Sequence, residues 1–361
     1  MEIAKQRIYK YDNVKALLIF LVVVGHMTTD YVSDSSLVRW TTLWIYLFHM
    51  PAFIFISGLV HKQYITDEQK ALGIKGETQL RLDKALGLFL CGYTLKIVIE
   101  ITRTLLGQNP EWHWISEPGI PWYLFVMVEY ELLFFAMRKI GQKVKPIVMI
   151  VSAFLISAVI GYVPMGDVLS LSRMINFLPI YMIGYYLDMR AFLQMIEKIR
   201  YKIFSVFVII SSVVICKFGS WDMYHWRKWF TGRRSYYFLS SYFSYATKWG
   251  PAIRLIVWVM AIIISLSIII LMPNRNLGYI TKIGSRTLNV YFWHRPVCYL
   301  LCSLGFLPKL VELFNGTYYI AYGIYLFVAL AMTAFFSLKI FEHPCKDLMC
   351  LASRITNNLK I

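Results

Sequence analysis

The sequence predicts an all-α fold, a polytopic membrane helix bundle with about ten transmembrane helices and both termini in the cytoplasm. The first reason is composition: 58% of the 361 residues are apolar and only 16% are charged. Soluble domains carry roughly 45–50% apolar and 25% charged residues. The second reason is a series of long apolar runs, and the third is the uneven placement of Lys and Arg between them. A water-soluble globule, a disordered chain and a coiled coil are therefore excluded.

The apolar runs are long enough to cross a bilayer, which takes about 20 mostly apolar residues for roughly 30 Å of hydrocarbon. We predict spans at 14–33, 41–60, 85–106, 120–138, 147–165, 174–189, 203–218, 252–272, 286–305 and 317–341. The sixth is the weakest, because it is short and contains Pro179. No internal repeat or domain boundary is evident, so a single domain over 1–361 is expected.

The connections between the spans differ in charge, and basic residues collect in cytoplasmic loops. The N-terminal segment is rich in Lys and Arg, and so are the connections 61–84, 139–146 and 190–202. The alternating connections carry at most one basic residue each: 34–40, 107–119 and 306–316. Both termini are therefore predicted to be cytoplasmic. The connection 219–251 is an exception, because it falls outside and is still rich in Arg and Lys.

The formal net charge is +17. In a membrane chain this excess faces the cytoplasm and anionic lipid, so membrane lipids are expected partners and nucleic acid is not. The six cysteines show neither a CxxC motif nor a Cys/His ligand spacing. Neither a metal site nor a disulfide framework is predicted.

The first helix places two ionisable side chains on one face. Lys15 and His26 are 11 residues apart, which is three helical turns plus about 20° and roughly 16 Å along the axis. Lys15 is near the cytoplasmic edge, where it reaches the interface or pairs with Asp12. His26 lies beyond the midplane. Because ionisable groups within a span are costly unless they face a cavity or a partner, we interpret His26 as functional rather than as a packing residue.

The second helix carries His49 at about the depth of His26. Pro51 follows two residues later and is expected to free a backbone carbonyl and bend the helix. Imidazole gains and loses a proton near neutral pH, so two histidines at one depth indicate a general base or a proton-handling site.

Several stretches resemble a known family. YDNVKALLIFLVVVGH has a basic residue, ten residues and then His, and FHMPAFIFISGL has His-x-Pro followed by Ser-Gly. Arg81 and Lys84 form a basic pair at the start of the third helix, and PWYLFVMVEYELL, LPIYMIGYYL, SRTLNVYFWHRPV and FEHP follow. Together these resemble the acyltransferase-3 membrane family over about residues 10–345, with the fucose 4-O-acetylase-like sugar acetylases as the nearest subgroup. Lys15 stands where that family more commonly has Arg.

The resemblance implies an O-acyltransferase of the cell membrane, expected to be an acetyltransferase. Its donor would be cytoplasmic acyl-CoA, here acetyl-CoA, and its acceptor a hydroxyl of a surface or lipid-linked glycan. Lys15 and His26 are then carried over as catalytic residues, with His26 taking the hydroxyl proton. His49 would orient His26 or stabilise the oxyanion.

The basic pair Arg81 and Lys84 is the candidate site for the phosphates of the donor, together with Lys70 and Lys75. Charge-assisted contacts from such residues hold phosphates. The alternative is plain positive-inside bias, which would produce the same cluster without a ligand.

Polar groups in the later spans supply further candidates. Glu129 either orients a catalytic His or pairs structurally with Arg103 or Lys96. Glu131 lies on another face and is assigned a structural role. His294 is assigned to packing or a helix-end hydrogen bond, with a second base as the alternative.

The acceptor has three candidate contacts. Arg173 opens the sixth span from the outside. In the connection 219–251, aromatic and basic residues alternate, so Trp226 can stack on a sugar ring while Arg233 holds a phosphate or an acidic glycan. The alternative is an interfacial segment with its Trp and Tyr at the headgroup level.

Two other function classes fit the same residues. In a proton-coupled secondary transporter, the buried His and Glu would form a proton relay. In an envelope-assembly subunit, the polar groups would be packing devices. The lack of an inverted repeat argues against the transporter.

Overall fold

The computed structural model describes residues 8–72, 80–117, 119–219 and 221–358, and for 63–72 it describes the backbone alone. Lys70 and Lys75, expected beside Arg81, therefore lie outside the side chains described. Apart from one isolated antiparallel bridge between Ser116 and Val168, the regular structure in these ranges is helical. The all-α prediction is confirmed for this part of the chain.

The α-helices in chain order are α1 (Tyr9–Thr28), α2 (Ser36–Leu72), α3 (Leu82–Leu105), α4 (Trp122–Ala136), α5 (Arg138–Lys143), α6 (Pro146–Val159), α7 (Leu171–Tyr186), α8 (Met189–Ile196), α9 (Ile199–Phe218), α10 (Trp221–Tyr224), α11 (Arg227–Phe230), α12 (Tyr236–Leu239), α13 (Ala246–Leu271), α14 (Tyr279–Ser285), α15 (Thr287–Ser303), α16 (Phe306–Leu313), α17 (Tyr318–Phe336) and α18 (Cys345–Asn358). Short 3₁₀ helices cover Thr29–Tyr31, Ile160–Tyr162 and Lys339–Glu342.

Six helical stretches in the described ranges are long and apolar enough to cross a membrane: Tyr9–Tyr31, Ser36–Lys62, Leu82–Leu105, Ile199–Phe218, Ala246–Leu271 and Tyr318–Phe336. The pair α15 and α16, bent by 52°, makes a seventh if it is one span. The other predicted spans coincide with α4, α6 and α7, which have 15, 14 and 16 residues. Six to seven helices in the described ranges could therefore span a membrane, while the count of ten and the orientation of the termini stay predictions.

The described residues of Met1–Phe53, Leu193–Gly219 and Ile263–Glu342 form one compact unit, the first unit. In it α1 packs against α14, α15 and α17. The buried ammonium of Lys10 donates to the backbone carbonyls of Ile269 (3.2 Å), Ile270 (3.1 Å) and Met272. Carbonyls at a helix C-terminus lack helical partners. Lys10 therefore caps the end of α13 and fixes the start of α1 against it.

The described residues of Ile54–Phe192, Ser220–Ile262 and His343–Ile361 form the second unit. Here α3 packs against α4 and α18, and α7 packs against α4 and α6. Gly58 and Gly184 bring α2 and α7 together. A Cβ on Gly58 would overlap the carbonyl oxygen of Tyr181, and a Cβ on Gly184 would overlap that of Phe55. Only glycine permits this backbone-to-backbone approach.

Candidate active site

The N-terminal half of α1 carries the predicted basic residue in an ion pair. Lys15 Nζ lies 2.9 Å from Asp12 Oδ1, one turn earlier on the same helix. The Lys15 side chain is 26% exposed. The pairing proposed as one alternative from the sequence is therefore present, and it fixes the ammonium beside α1.

The other end of α1 carries His26, whose ring lies against a second imidazole. The ring centroids of His26 and His294 are 5.5 Å apart, with an interplanar angle of 36°. His26 is half-buried on α1, and His294 is fully buried on α15. These two residues are called the histidine pair below. The sequence assigns His294 to packing or a helix-end hydrogen bond, with a second base as the alternative, and this assignment stays a prediction.

The hydrogen bond of His294 defines which nitrogen is available. Nδ1 lies 2.9 Å from the carbonyl oxygen of Val290, four residues earlier. A carbonyl only accepts, so Nδ1 carries a proton and Nε2 keeps the lone pair of a neutral ring. Within the described ranges this buried Nε2 has no hydrogen-bond partner.

His49 has the same arrangement on α2. Its Nδ1 lies 2.7 Å from the carbonyl oxygen of Ile45, and its ring meets Tyr46 edge-on at 4.9 Å. The ring 5.5 Å from His26 belongs to His294. The expectation that His49 orients His26 stays a prediction.

Arg295 adds a cation beside the histidine pair, and the sequence analysis missed it. One guanidinium nitrogen lies 3.4 Å from the carbonyl oxygen of His26, and the other lies 3.0 Å from Tyr299 Oη. The signal available in the sequence was its position directly after His294 inside an apolar run, where an Arg is costly.

In the second unit, the donor candidates join a buried polar network. Arg81 immediately precedes α3, and Lys84 Nζ lies 3.1 Å from Glu131 Oε2. The other carboxylate oxygen, Oε1, lies 3.4 Å from His61 Nε2. His61 Nδ1 lies 2.6 Å from Tyr181 Oη. We call His61, Lys84, Glu131 and Tyr181 the Glu131 network.

The structural alternative for Glu129 was an ion pair with Arg103 or Lys96, and among the described residues these cations pair with other carboxylates. Lys96 instead pairs with Glu117 at 3.4 Å and donates to the carbonyl oxygen of Ser116. Arg103 pairs with Glu100 at 3.1 Å. In the described part of the chain, the buried Oε2 of Glu129 has no hydrogen-bond partner. The remaining alternative, in which Glu129 orients a histidine, stays a prediction.

The acceptor candidates Arg173 and Arg233 meet at Asp167. Arg233 makes two short charge-assisted hydrogen bonds to this carboxylate, and Arg173 lies 3.8 Å from it. Arg173 also donates to the carbonyl oxygen of Glu117 and lies over the ring of Trp122. Both guanidinium groups are therefore held by charge-assisted hydrogen bonds or an ion pair within the protein itself.

The segment 221–249 contains cations that lie on aromatic rings. Lys228 Nζ is 4.1 Å from the ring centroid of Tyr242, and the Arg234 guanidinium is 4.1 Å from that of Phe238. Trp226 packs against Phe243 at 5.2 Å. Partial burial and the charges of Arg227 and Arg234 hold the pKa of Lys228 below its usual value. This positive charge suits an anionic ligand, as the acceptor interpretation of the segment requires.

Metal chemistry has no ready-made ligand set in the described ranges. They contain no group of three or more His, Cys, Asp or Glu side chains arranged to hold an ion.

Comparison with known proteins decides the family. The family model described as "Acyltransferase domain", of the acyltransferase-3 type, matches residues 8–338, nearly the whole chain. The chain belongs to the acyltransferase-3 family. With its long apolar helices, it is a membrane acyltransferase. This membership favours the enzyme over the transporter and the assembly subunit.

A relative with partial similarity is nodulation protein NolL of Mesorhizobium japonicum. The two sequences are 32% identical over 111 residues, which is 28% of this chain and 29% of NolL. The chain thus matches less than a third of the length of that relative. No solved structure matches the chain.

Proposed function

We propose that this membrane acyltransferase moves an acyl group, in the simplest case acetyl, from acyl-CoA to a hydroxyl of a surface or lipid-linked glycan. It would act at the cell membrane with His26 as the general base. The observation that carries the proposal is the histidine pair, in which His26 lies against a fully buried imidazole. A neutral imidazole nitrogen within reach of a hydroxyl is the group that general-base catalysis needs.

In the proposed step, the acceptor oxygen attacks the carbonyl carbon of the thioester while its proton passes to a ring nitrogen of His26. The new C–O bond forms and the C–S bond breaks. The electron pair of the broken bond leaves with the sulfur of CoA, which takes the proton from His26 and departs as the thiol. His294 holds the His26 ring in orientation, and Arg295, with its guanidinium beside α1, stabilises the oxyanion.

The remaining candidates have supporting roles in the proposal. Lys15 anchors the other end of α1 through Asp12. Arg81 and Lys84 attract the phosphates of the donor. Arg173, Trp226 and Arg233 form part of the acceptor site, with the two arginines shaping it through Asp167 rather than binding the sugar alone. His49 and Glu129 are further candidates for orienting the base.

Purified protein in lipid nanodiscs tests the proposal through release of free CoA from acetyl-CoA, with and without a glycan acceptor fraction. Acceptor-dependent release is expected from the wild type. His26→Ala should abolish it while the helical circular dichroism spectrum is retained. His113→Ala is the control, because His113 is half-exposed and its ring faces the exposed carboxylate of Glu111. Full activity in His26→Ala would contradict the assignment of the base, and CoA release that ignores the acceptor would contradict transfer.

A further inference from the structure

The Glu131 network is an unusual concentration of ionisable groups for the interior of a membrane helix bundle. Glu131 and His61 are 5% and 3% exposed, so both are removed from solvent. Removing charges from water costs several kcal/mol each unless partners compensate it. A simple apolar contact would serve packing at lower cost, so the charges indicate a role beyond packing.

The hydrogen bonds of the network lead from their donors to the carboxylate of Glu131. The hydroxyl of Tyr181 can donate to Nδ1 of His61, which leaves the proton on Nε2, facing Oε1 of Glu131 at 3.4 Å. Lys84 donates to the other oxygen at 3.1 Å. The carboxylate is therefore approached from two sides by separate helices, and its position is fixed. Lys84 is fixed in turn, because one of its three N–H bonds points at Glu131.

Glycines create the geometry of this network. Gly58 on α2 and Gly184 on α7 allow those helices to touch backbone to backbone. His61 lies one turn after Gly58, and Tyr181 lies one turn before Gly184. The close approach thus brings the two side chains into hydrogen-bond contact, and it fixes the side of Glu131 that faces α2.

Lys84 differs from the other members of the network in exposure. Its side chain is 32% exposed, so two of its N–H bonds remain directed away from Glu131. Arg81, half-exposed, precedes it by one turn. Two carboxylates, Glu131 and Asp83 in the first turn of α3, balance these two cations, so the formal charges at the start of α3 sum to zero. An ammonium that is held by Glu131 and keeps further N–H bonds to donate is suited to an incoming anion.

We propose that Glu131 is a positioning residue, supported by His61 and Tyr181, which holds Lys84 in place for the phosphates of the acyl-CoA donor. This inference rests on the proposed function and deepens it at the donor site. Glu131 touches no reacting atom in this scheme. Its role is to make Lys84 a pre-organised contact instead of a flexible one, which lowers the cost of ordering on binding.

A comparison of two donors tests the inference. Acetyl-CoA carries the phosphates, whereas S-acetylpantetheine delivers the same thioester without them. Glu131→Gln is expected to raise the KM for acetyl-CoA about tenfold, the size of one charge-assisted contact. The KM for S-acetylpantetheine should change less than about twofold, and so should kcat. Lys84→Met should give the same pattern, and Tyr181→Phe a weaker one.

Glu117→Gln is the matched control, because Glu117 forms an ion pair with Lys96, which lies on α3 as Lys84 does. It should leave the ratio of the two KM values unchanged. Lys84→Arg keeps the charge and the ion pair, and should restore most of the preference for acetyl-CoA. If Glu131→Gln folds poorly, Tyr181→Phe replaces it in the comparison of the two KM values, because this substitution removes only one hydroxyl.

Calorimetric binding of free CoA to the same variants gives a readout that does not need turnover. An unchanged Kd in both Glu131→Gln and Lys84→Met would overturn the inference, and so would equal KM increases for both donors. Failure of the proposed function looks different: the wild type would bind CoA but release none from acetyl-CoA with any glycan acceptor.

Discussion

Two buried histidines of the first unit and a buried carboxylate of the second unit are satisfied in different ways. In the first unit, His294 and His49 each use Nδ1 on a carbonyl four residues earlier in their own helix. In the second unit, Glu131 depends on His61 and Lys84 from two other helices. A neutral ring can be held by one helix alone, whereas a buried charge needs partners delivered by tertiary packing. The first arrangement leaves a nitrogen available for chemistry, and the second holds a cation still.

The largest expected effect is a loss of kcat on removal of His26, and it is measured with two donors to distinguish the base from the donor contact. His26→Ala should lower kcat by a factor of about 10²–10⁴, the usual contribution of a general base. The loss should be the same with acetyl-CoA and with S-acetylpantetheine, because the base acts on the hydroxyl and not on the phosphates. A loss confined to acetyl-CoA would place His26 at the donor instead.

The second test asks whether His294 serves the chemistry or only the packing. His294→Phe keeps a buried ring of similar shape and removes the nitrogens. We expect kcat to fall about tenfold or more, with the thermal midpoint nearly unchanged, because a ring that orients the base contributes through its position and polarity. Full activity with an unchanged midpoint would reduce His294 to a packing residue.

The third test breaks the helix contact of the second unit. Gly184→Ala should destabilise the protein by about 1–3 kcal/mol, since the added methyl meets the backbone of Phe55 and neither helix can yield cheaply. Thermal unfolding in detergent measures this. Gly323→Ala is the matched control, because a Cβ there would meet nothing within 4 Å, and it should be neutral or slightly stabilising.

The smallest effect concerns Lys228, whose pKa is lowered by its partial burial and by Arg227 and Arg234. A lysine with a lowered pKa becomes a neutral nucleophile at a lower pH. Between the lowered pKa and the ordinary lysine value, the folded protein binds fewer protons at Lys228 than the unfolded chain does. The free energy of unfolding therefore increases as the pH rises through this range. Arg234→Gln removes one repelling charge and should move the midpoint of Lys228 acylation to higher pH, as followed by mass spectrometry. A midpoint that stays or falls would contradict the repulsion.

Much of the fold and part of the site could be predicted from the sequence. The pairing of Lys15 with Asp12 follows from a one-turn spacing on a single helix, and the burial of His26 follows from the apolar run around it. The contact of His26 with His294 and the hydrogen bond between His61 and Tyr181, which supports Glu131, could not be predicted. His294 is 268 positions further along the chain than His26, and Tyr181 is 120 positions further than His61. Such contacts depend on which helices meet and at which register, and one sequence does not contain that information.

The short helices of the second unit have a consequence for the membrane around them. With 15 and 16 residues, α4 and α7 are about 23 and 24 Å long, several ångströms less than the hydrocarbon thickness of about 30 Å. Where they cross, lipid must thin or water must enter from one side. Under the proposed function, the glycan acceptor and the acyl-CoA donor would then be separated by less hydrocarbon, so neither would need to cross a full bilayer.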